Sequence, residues 1–151
     1  MSIRMKVVIT IFAIAASFIG VAAALETPEA QRTSLSVEEA EILVYLVPDA
    51  DHVRNAGCDV DAEPQTSPKL DQTIFFTFWL VRTGKKARCL AWPVDVSYFS
   101  VNKRTGSVWD DMPEPHRVTS STVNGVLKII RRKNGITEAT LRKYDALKPS
   151  I

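Results

Sequence analysis

The sequence predicts an α+β domain: an N-terminal helix packed on a small antiparallel sheet of three to four strands, followed by two C-terminal helices. Three observations predict this class. A helix-capping signal precedes the first apolar run of the domain, alternating apolar residues mark strands in the middle of the chain, and apolar residues at helical spacing return near the C terminus. Because the sequence contains no internal repeat, we expect residues 35–151 to form a single domain.

The first 24 residues have the three parts of a secretory signal peptide. Arg4 and Lys6 precede an apolar stretch, and small residues lead to an Ala-rich processing site that ends at Ala24. A retained membrane anchor is the alternative, since the apolar stretch is just long enough to cross a bilayer. The processing site favours cleavage. We therefore expect residues 1–24 to be removed, residues 25–34 to be a flexible lead-in, and the mature protein to be periplasmic or secreted without spanning the membrane.

The first predicted helix follows a capping box, in which Ser36 and Glu39 bond to each other's backbone N–H groups. Its apolar residues surround much of its circumference, so we expect it to be buried against the sheet, and Pro48 ends it. Residues 49–70 are acidic and rich in turn-forming residues, with one short strand at Cys58–Glu63. Their carboxylates lack the spacing of a calcium-binding loop, which favours a solvated loop but leaves a cation site at 49–63 open.

Three further strands are predicted at 72–82, 94–103 and 107–109. The strand at 72–82 is apolar on both faces, so we expect it to be central and covered on both sides. The Gly-containing turn at 104–106 is typical of a tight hairpin. A linker at 110–119 leads to the C-terminal helices.

The two C-terminal helices have clear start and stop signals. Ser120 or Ser121 caps the first helix, and Asn134 with Gly135 ends it. Thr137 caps the second helix.

The cysteines predict a disulfide. Cys58 and Cys89 are the only two in the chain, and an even pair in a small exported domain usually pairs. A redox dithiol is disfavoured because there is no C-x-x-C, and a nucleophilic cysteine would need His52 or His116 beside it. On the chain-entropy model the Cys58–Cys89 bridge stabilises the domain by roughly 3.5–4 kcal/mol.

Motifs for enzymatic chemistry are missing from the sequence. It has no Gly-rich phosphate loop, no nucleophile elbow and no Cys/His metal spacing, so we predict no metal and no cofactor. Asp110 and Asp111 form a carboxylate pair that could act with His116 in acid–base chemistry. Surface charge in a linker is the favoured interpretation of that pair. Enzymatic activity stays open, but the residues favour a binding role.

Charge divides the mature chain into an acidic body and a basic C-terminal part. Residues 25–115 carry fifteen acidic and nine basic side chains, whereas residues 116–151 carry two acidic and eight basic ones. Attraction between the two parts within the fold is the favoured interpretation. The alternative is a basic surface, including Arg131, Arg132 and Lys133, that contacts an anionic membrane or cell-wall surface. Aromatic residues do not interleave with these basic residues, so no nucleic-acid partner is predicted.

The three tryptophans lie in the predicted sheet region. We place Trp79 in the core, because it belongs to the central strand. Trp92 and Trp109 lie near strand ends, where an aromatic side chain either packs at an edge or anchors a binding partner. Trp92 and Trp109 are therefore the candidate aromatic binding residues.

The segment Val94–Trp109 resembles the end of a PepSY domain. It contains the predicted hairpin sequence V-N-K-R-T-G-S-V-W. The helix start S-V-E-E-A at residues 36–40 also resembles how such modules open. The resemblance covers about half of the mature chain and implies a small exported unit with a cystatin-like layout, associated with protease inhibition or envelope regulation. The acidic loop, the disulfide and the two C-terminal helices depart from the family, and no site residue is carried over.

The leading hypothesis is an exported, non-enzymatic binding protein, an inhibitor or immunity-type partner of another exported or envelope protein. Two alternatives stay open. One is a small cell-envelope hydrolase that uses Asp110, Asp111 and His116. The other is a structural envelope module whose basic tail contacts an anionic surface.

Overall fold

The computed structural model describes residues 33–66, 71–84, 89 and 95–150, which all belong to one unit, Arg32–Ile151. The predicted signal peptide, most of the predicted lead-in and Trp92 lie outside the described residues. Within the described ranges, no helix has the length and apolar character needed to cross a membrane.

The described residues form two helices, five strands and two further helices. They are α1 (Val37–Tyr45), α2 (Pro48–Asn55), β1 (Asp59–Gln65), β2 (Phe75–Thr83), β3 (Asp95–Asn102), β4 (Val108–Asp110), β5 (His116–Arg117), α3 (Ser121–Lys133) and α4 (Glu138–Tyr144). The predicted α+β class is confirmed. The predicted order is wrong in two respects, because two helices instead of one precede the sheet, and the sheet has five strands instead of three to four.

Helix α2 corrects the prediction that the chain after Pro48 is a turn-rich loop. Pro48 ends no element here; it occupies the first turn of a new helix, where its missing N–H needs no partner. Asp49 and Asp51 lie in the same first turn, where carboxylates suit the positive end of the helix dipole. The fifth strand, β5, likewise lies in the predicted linker.

The five strands form one antiparallel sheet in chain order, from β1 at one edge to β5 at the other. The register of β2 and β3 pairs Phe78 with Phe99 and Trp79 with Tyr98. Because directly paired residues share a face, the two pairs point to opposite sides of the sheet. We call the side of Phe78 and Phe99 the helix face, and the side of Trp79 and Tyr98 the aromatic face.

The main core lies between the helix face and the helices. Phe78 and Phe99 are fully buried in it. Helix α1 contributes Ala40, Leu43 and Val44 to this core, which confirms the predicted burial of this helix. Helix α3 contributes one amphipathic stripe, which consists of Val123, Leu127 and Ile130.

The predicted capping signals are confirmed. Ser36 Oγ accepts a hydrogen bond from Glu39 N at 3.2 Å, and Glu39 Oε2 accepts one from Ser36 N at 3.1 Å. At the end of α3, Gly135 has φ 61, and Ile136 N donates to Arg131 O at 2.9 Å. This is the left-handed C-cap predicted from the Asn-Gly pair.

Gly106 fits the hairpin for two reasons. Its φ of 73 lies in the left-handed region. A Cβ at this position would also lie 2.4 Å from Leu127 Cδ1 of α3, far inside contact distance. The turn after β3 therefore packs directly beneath α3.

Cys58 and Cys89 form a disulfide, as predicted, with their Cα atoms 5.6 Å apart. The two cysteines are buried and pack with Val53 of α2. The bridge therefore joins the start of β1 to the chain that follows β2, and it fixes α2 beside them.

Candidate functional site

The aromatic face carries a stacked pair of rings near its centre. The rings of Trp79 and Tyr98 are parallel, with an interplanar angle of 1° and centroids 5.8 Å apart. Tyr98 is 39% exposed and Trp79 is half-buried. The prediction that Trp79 is a core residue is therefore wrong, because its strand position points it away from the helices.

Strand β1 lies next to this pair and is acidic on the same face. The register places Glu63 beside Trp79 and Asp61 beside Val81. Asp61 and Glu63 are both exposed, and Asp61 also accepts a hydrogen bond from the hydroxyl of Tyr45 at 2.6 Å. The aromatic pair therefore adjoins a negatively charged sheet edge.

Asp111 lies on the other side of Tyr98. Its backbone N–H donates to Tyr98 O at 2.9 Å, and its Oδ2 accepts a hydrogen bond from Ser100 Oγ at 2.6 Å. Asp111 is only 5% exposed, and its Oδ1 has no hydrogen-bond partner among the described residues. Burial raises the pKa of Asp111 to about 6, and the charge of Asp110 adds to this rise while the Ser100 hydrogen bond opposes it.

A cavity of about 300 Å³ lies on the helix face, between the start of α2 and strands β3 to β5. Asp49, Asp110, His116 and Arg117 supply its titratable groups. Asp110 Oδ1 accepts hydrogen bonds from Ser97 Oγ at 2.7 Å and Met112 N at 3.0 Å. Its Oδ2 lies 3.8 Å from His116 Nε2.

The predicted carboxylate pair is divided between the two faces of the sheet. Asp110 pairs with Phe99 and lies on the helix face, whereas Asp111 bonds to Ser100 on the aromatic face. Both are largely buried, at 9% and 5% exposure, so the interpretation as linker surface charge is wrong. Of these two carboxylates, only Asp110 lies near His116.

The predicted acidic loop is divided between a helix and a strand. Asp49 and Asp51 belong to α2, and Asp59, Asp61 and Glu63 belong to β1. Within the described part of the chain, no group of three or more His, Cys, Asp or Glu residues has the geometry to hold a metal ion.

The predicted aromatic and basic binding residues occupy different environments. Trp109 is 5% exposed and packs against Phe75, in the position of a packing residue. Arg131 Nε donates to Thr105 O at 2.7 Å, and its Nη2 lies 3.3 Å from Asp145 Oδ1.

Lys133 Nζ lies 3.0 Å from Glu39 Oε1, which joins the basic C-terminal part to the acidic body. Arg132 is exposed on α3. A binding role for Arg131, Arg132, Lys133 and Trp109 stays a prediction.

Sequence reasoning missed Tyr98 as a site residue, and it assigned Asp49 and Asp111 to other candidate sites, a cation site at 49–63 and a carboxylate pair with Asp110. Strand alternation in the sequence indicated part of this site, because it places neighbouring residues on opposite faces of the sheet. The missing part was the pairing of β3 with β4, which brings Asp111 beside Tyr98.

No protein-family model matches the chain, and no curated protein matches it. A chain in the solved structure of a type VI secretion system effector-immunity complex from Pseudomonas protegens is similar, with 16% sequence identity and a TM-score of 0.49. The match covers 79% of this chain and 93% of that chain. A likeness of this extent carries no inference about function, and the PepSY resemblance stays a prediction.

Proposed function

We propose that the mature protein is an exported, non-enzymatic binding protein, an inhibitor or immunity-type partner of another exported or envelope protein. The observation that supports this most strongly is the stacked, partly exposed Trp79–Tyr98 pair on the aromatic face. Large, rigid aromatic side chains with one accessible surface are the residues that most often anchor protein interfaces. The Cys58–Cys89 disulfide fits an oxidising compartment.

The charge around the pair supports a partner of complementary charge. Asp61 and Glu63 are exposed on the same face of the edge strand β1. A partner surface with an apolar centre and basic side chains on the β1 side would complement this arrangement. Such rim charges mainly accelerate association and select the partner, while the aromatic centre supplies the affinity.

The two alternative functions have less support. A hydrolase that uses Asp110, Asp111 and His116 would need groups that lie on opposite faces of the sheet. A basic membrane-contacting tail would need Arg131 and Lys133, which are engaged by Asp145 and Glu39 within the protein.

Affinity capture from an envelope extract tests the proposal. We expect the mature wild-type protein to retain one stoichiometric protein, and we expect Trp79→Ala and Tyr98→Ala each to reduce its capture by about tenfold or more, since anchor truncations cost about 2 kcal/mol. The matched control is Ile129→Ala, which removes another exposed apolar side chain, 68% exposed, from α3.

Two results would contradict the proposal. One is equal capture by wild type, Trp79→Ala and Tyr98→Ala. The other is an equal loss in the Ile129→Ala control, because this would show that the aromatic face is not the contact surface. Far-ultraviolet circular dichroism of each variant verifies that the fold is retained.

A further inference from the structure

The cavity on the helix face is independent of the proposed partner surface, because the two lie on opposite sides of the sheet. Its volume of about 300 Å³ is at the lower end of the range for small-molecule sites, roughly 300–1,000 Å³. Its walls are mixed. Asp49, Asp110, His116 and Arg117 contribute titratable side chains, and the apolar part consists of Val47, Pro48, Phe99 and Val118.

The negative charge in this cavity is only partly compensated. Asp110 is satisfied by Ser97 and by Met112 N, with His116 nearby. Asp49 has neither a hydrogen bond nor an ion pair from its side chain to any other described residue. Arg117 also borders the cavity, but its guanidinium is directed to Asp145 and Ser107 on the aromatic face. A cation that enters would therefore meet two carboxylates, and it would compete there with His116, whose Nε2 lies 3.8 Å from Asp110 Oδ2.

The two carboxylates act on each other electrostatically. Burial raises the pKa of Asp49, and the negative charge of Asp110 raises it further, while His116 and His52 oppose the rise. A bound cation would relieve this repulsion. Within the described part of the chain, no group of three or more His, Cys, Asp or Glu residues could hold a metal ion. The apolar walls of the cavity suit the carbon stem of an organic cation.

We propose that this cavity binds an organic cation, an ammonium or guanidinium group on a short apolar stem. The charged group binds between Asp49 and Asp110, and the stem packs on Val47, Phe99 and Val118. Charged groups that hydrogen-bond to carboxylates form stronger contacts than neutral ones, and the apolar walls add burial of the stem. The group belongs either to a free amine or to a lysine or arginine side chain of another protein.

Nuclear magnetic resonance titration of the mature protein tests the inference with two pairs of probes. The first pair is n-butylammonium and n-butanol, which differ in charge but share the stem. The second pair is the blocked peptides acetyl-Gly-Lys-Gly-amide and acetyl-Gly-norleucine-Gly-amide. We expect the cationic member of at least one pair to bind about tenfold more tightly than its neutral match, the size of one charge-assisted hydrogen bond.

The variant Asp49→Asn should reduce binding of the cationic probe by about tenfold, because it removes the less compensated carboxylate. The control is Asp51→Asn, which removes a carboxylate from the same helix that pairs with Arg54 at 2.9 Å. Binding of the butylammonium alone indicates a free amine, and binding of the lysine peptide indicates a protein side chain.

Equal binding of charged and neutral probes overturns the inference, and so does equal binding by wild type and Asp49→Asn. These outcomes leave the proposed partner surface unaffected, because Trp79 and Tyr98 are unchanged in both variants. Asp49 and Asp51 both lie in the first turn of α2, and a thermal scan verifies that both variants remain folded.

Discussion

The two faces of the sheet differ in how completely their side chains are satisfied. On the helix face, Phe78 and Phe99 are enclosed by the helices, and the buried carboxylate Asp110 accepts two hydrogen bonds at Oδ1, with Oδ2 3.8 Å from His116 Nε2. On the aromatic face, three buried polar atoms lack hydrogen-bond partners among the described residues: Trp79 Nε1, Trp109 Nε1 and Asp111 Oδ1. Natural proteins leave few buried polar atoms without a partner, so each of these three needs an explanation.

This difference arises between residues that are neighbours in the sequence. Phe78 and Trp79 are adjacent in β2, and Asp110 and Asp111 are adjacent at the end of β4. In each case the first residue lies on the helix face and the second on the aromatic face. The helix face therefore encloses the main core, whereas the aromatic face contains the buried polar atoms that lack a hydrogen-bond partner among the described residues.

The largest loss in the free energy of unfolding should come from truncating Phe78, a buried aromatic residue of the helix face. Phe78→Ala removes a ring that is fully buried between the sheet and the helices. We expect the free energy of unfolding to fall by about 3–5 kcal/mol, the usual cost of truncating a buried aromatic side chain. Chemical denaturation with the disulfide intact measures this loss.

The neighbouring variant Trp79→Ala provides the comparison. Because Trp79 is only half-buried, we expect less than half of the loss seen for Phe78→Ala. Equal losses in the two variants would show that the aromatic face contributes as much to the fold as the helix face, and the distinction between the faces would be wrong.

Local rules explain which parts of this structure could be predicted from sequence. The caps at Ser36, Thr137 and Gly135 depend on residues within one helical turn, and all three are present as predicted. The disulfide also followed from counting cysteines and from the predicted compartment. By contrast, Pro48 is compatible with the end of one helix or the start of the next, so its local sequence could not decide between them.

Non-local pairing explains what the sequence could not reveal. Strand β5 has two residues and no apolar alternation, and it exists because His116 and Arg117 pair with β4. Asp110 is paired with His116 in this register, and Asp111 is bonded to Tyr98 O and Ser100 of β3. Both are buried, although they look like exposed linker residues in the sequence. Strand alternation could separate Trp79 from Phe78, but only the position of the helices decides which of them is buried.

The next largest loss of stability should come from the polar contacts that hold the C-terminal helix to the aromatic face. Asp145 accepts hydrogen bonds from Ser107 and from Arg117 Nη1, the latter at 2.7 Å, and it lies 3.3 Å from Arg131 Nη2. Asp145→Ala leaves two guanidinium groups without this partner. We expect a loss of about 1–3 kcal/mol in the free energy of unfolding, since hydrogen bonds to charged groups are the stronger ones.

The pH dependence of the Asp145 contribution has a defined sign. Burial alone would raise the pKa of Asp145, but hydrogen bonds from Ser107 and Arg117 and the charges of Arg117 and Arg131 lower it below its ordinary value. The stabilisation is therefore present above the ordinary pKa and is lost as the pH falls through the lowered one. Glu114→Ala, which removes an exposed carboxylate, is the control and should change stability by less than about 0.5 kcal/mol. An Asp145→Ala loss no larger than this would contradict the assignment.

The smallest expected change in the free energy of unfolding is an increase, and it comes from Asp111. This change tests most directly whether the two faces of the sheet differ. Asp111 ionises in a buried position with one oxygen unpartnered, and its pKa is raised from 3.8 to about 6. As the pH rises from about 4 to about 6, the unfolded chain ionises first, so the folded protein loses stability over this interval. We expect Asp111→Asn to remove this loss and to raise the free energy of unfolding by about 1 kcal/mol at neutral pH, less than the full pKa shift implies, because the amide still has an unpartnered polar atom.

Denaturation of both neighbouring variants as a function of pH measures this difference. Asp110→Asn should destabilise the protein at neutral pH, because Asp110 receives hydrogen bonds from Ser97 and Met112 N and lies beside His116. If Asp111→Asn also destabilises the protein at neutral pH, Asp111 is a structural carboxylate and the two faces do not differ. If Asp111→Asn is more stable than wild type, an ionisable residue has been retained beside Tyr98 at a cost in stability, and stability alone does not explain its presence there.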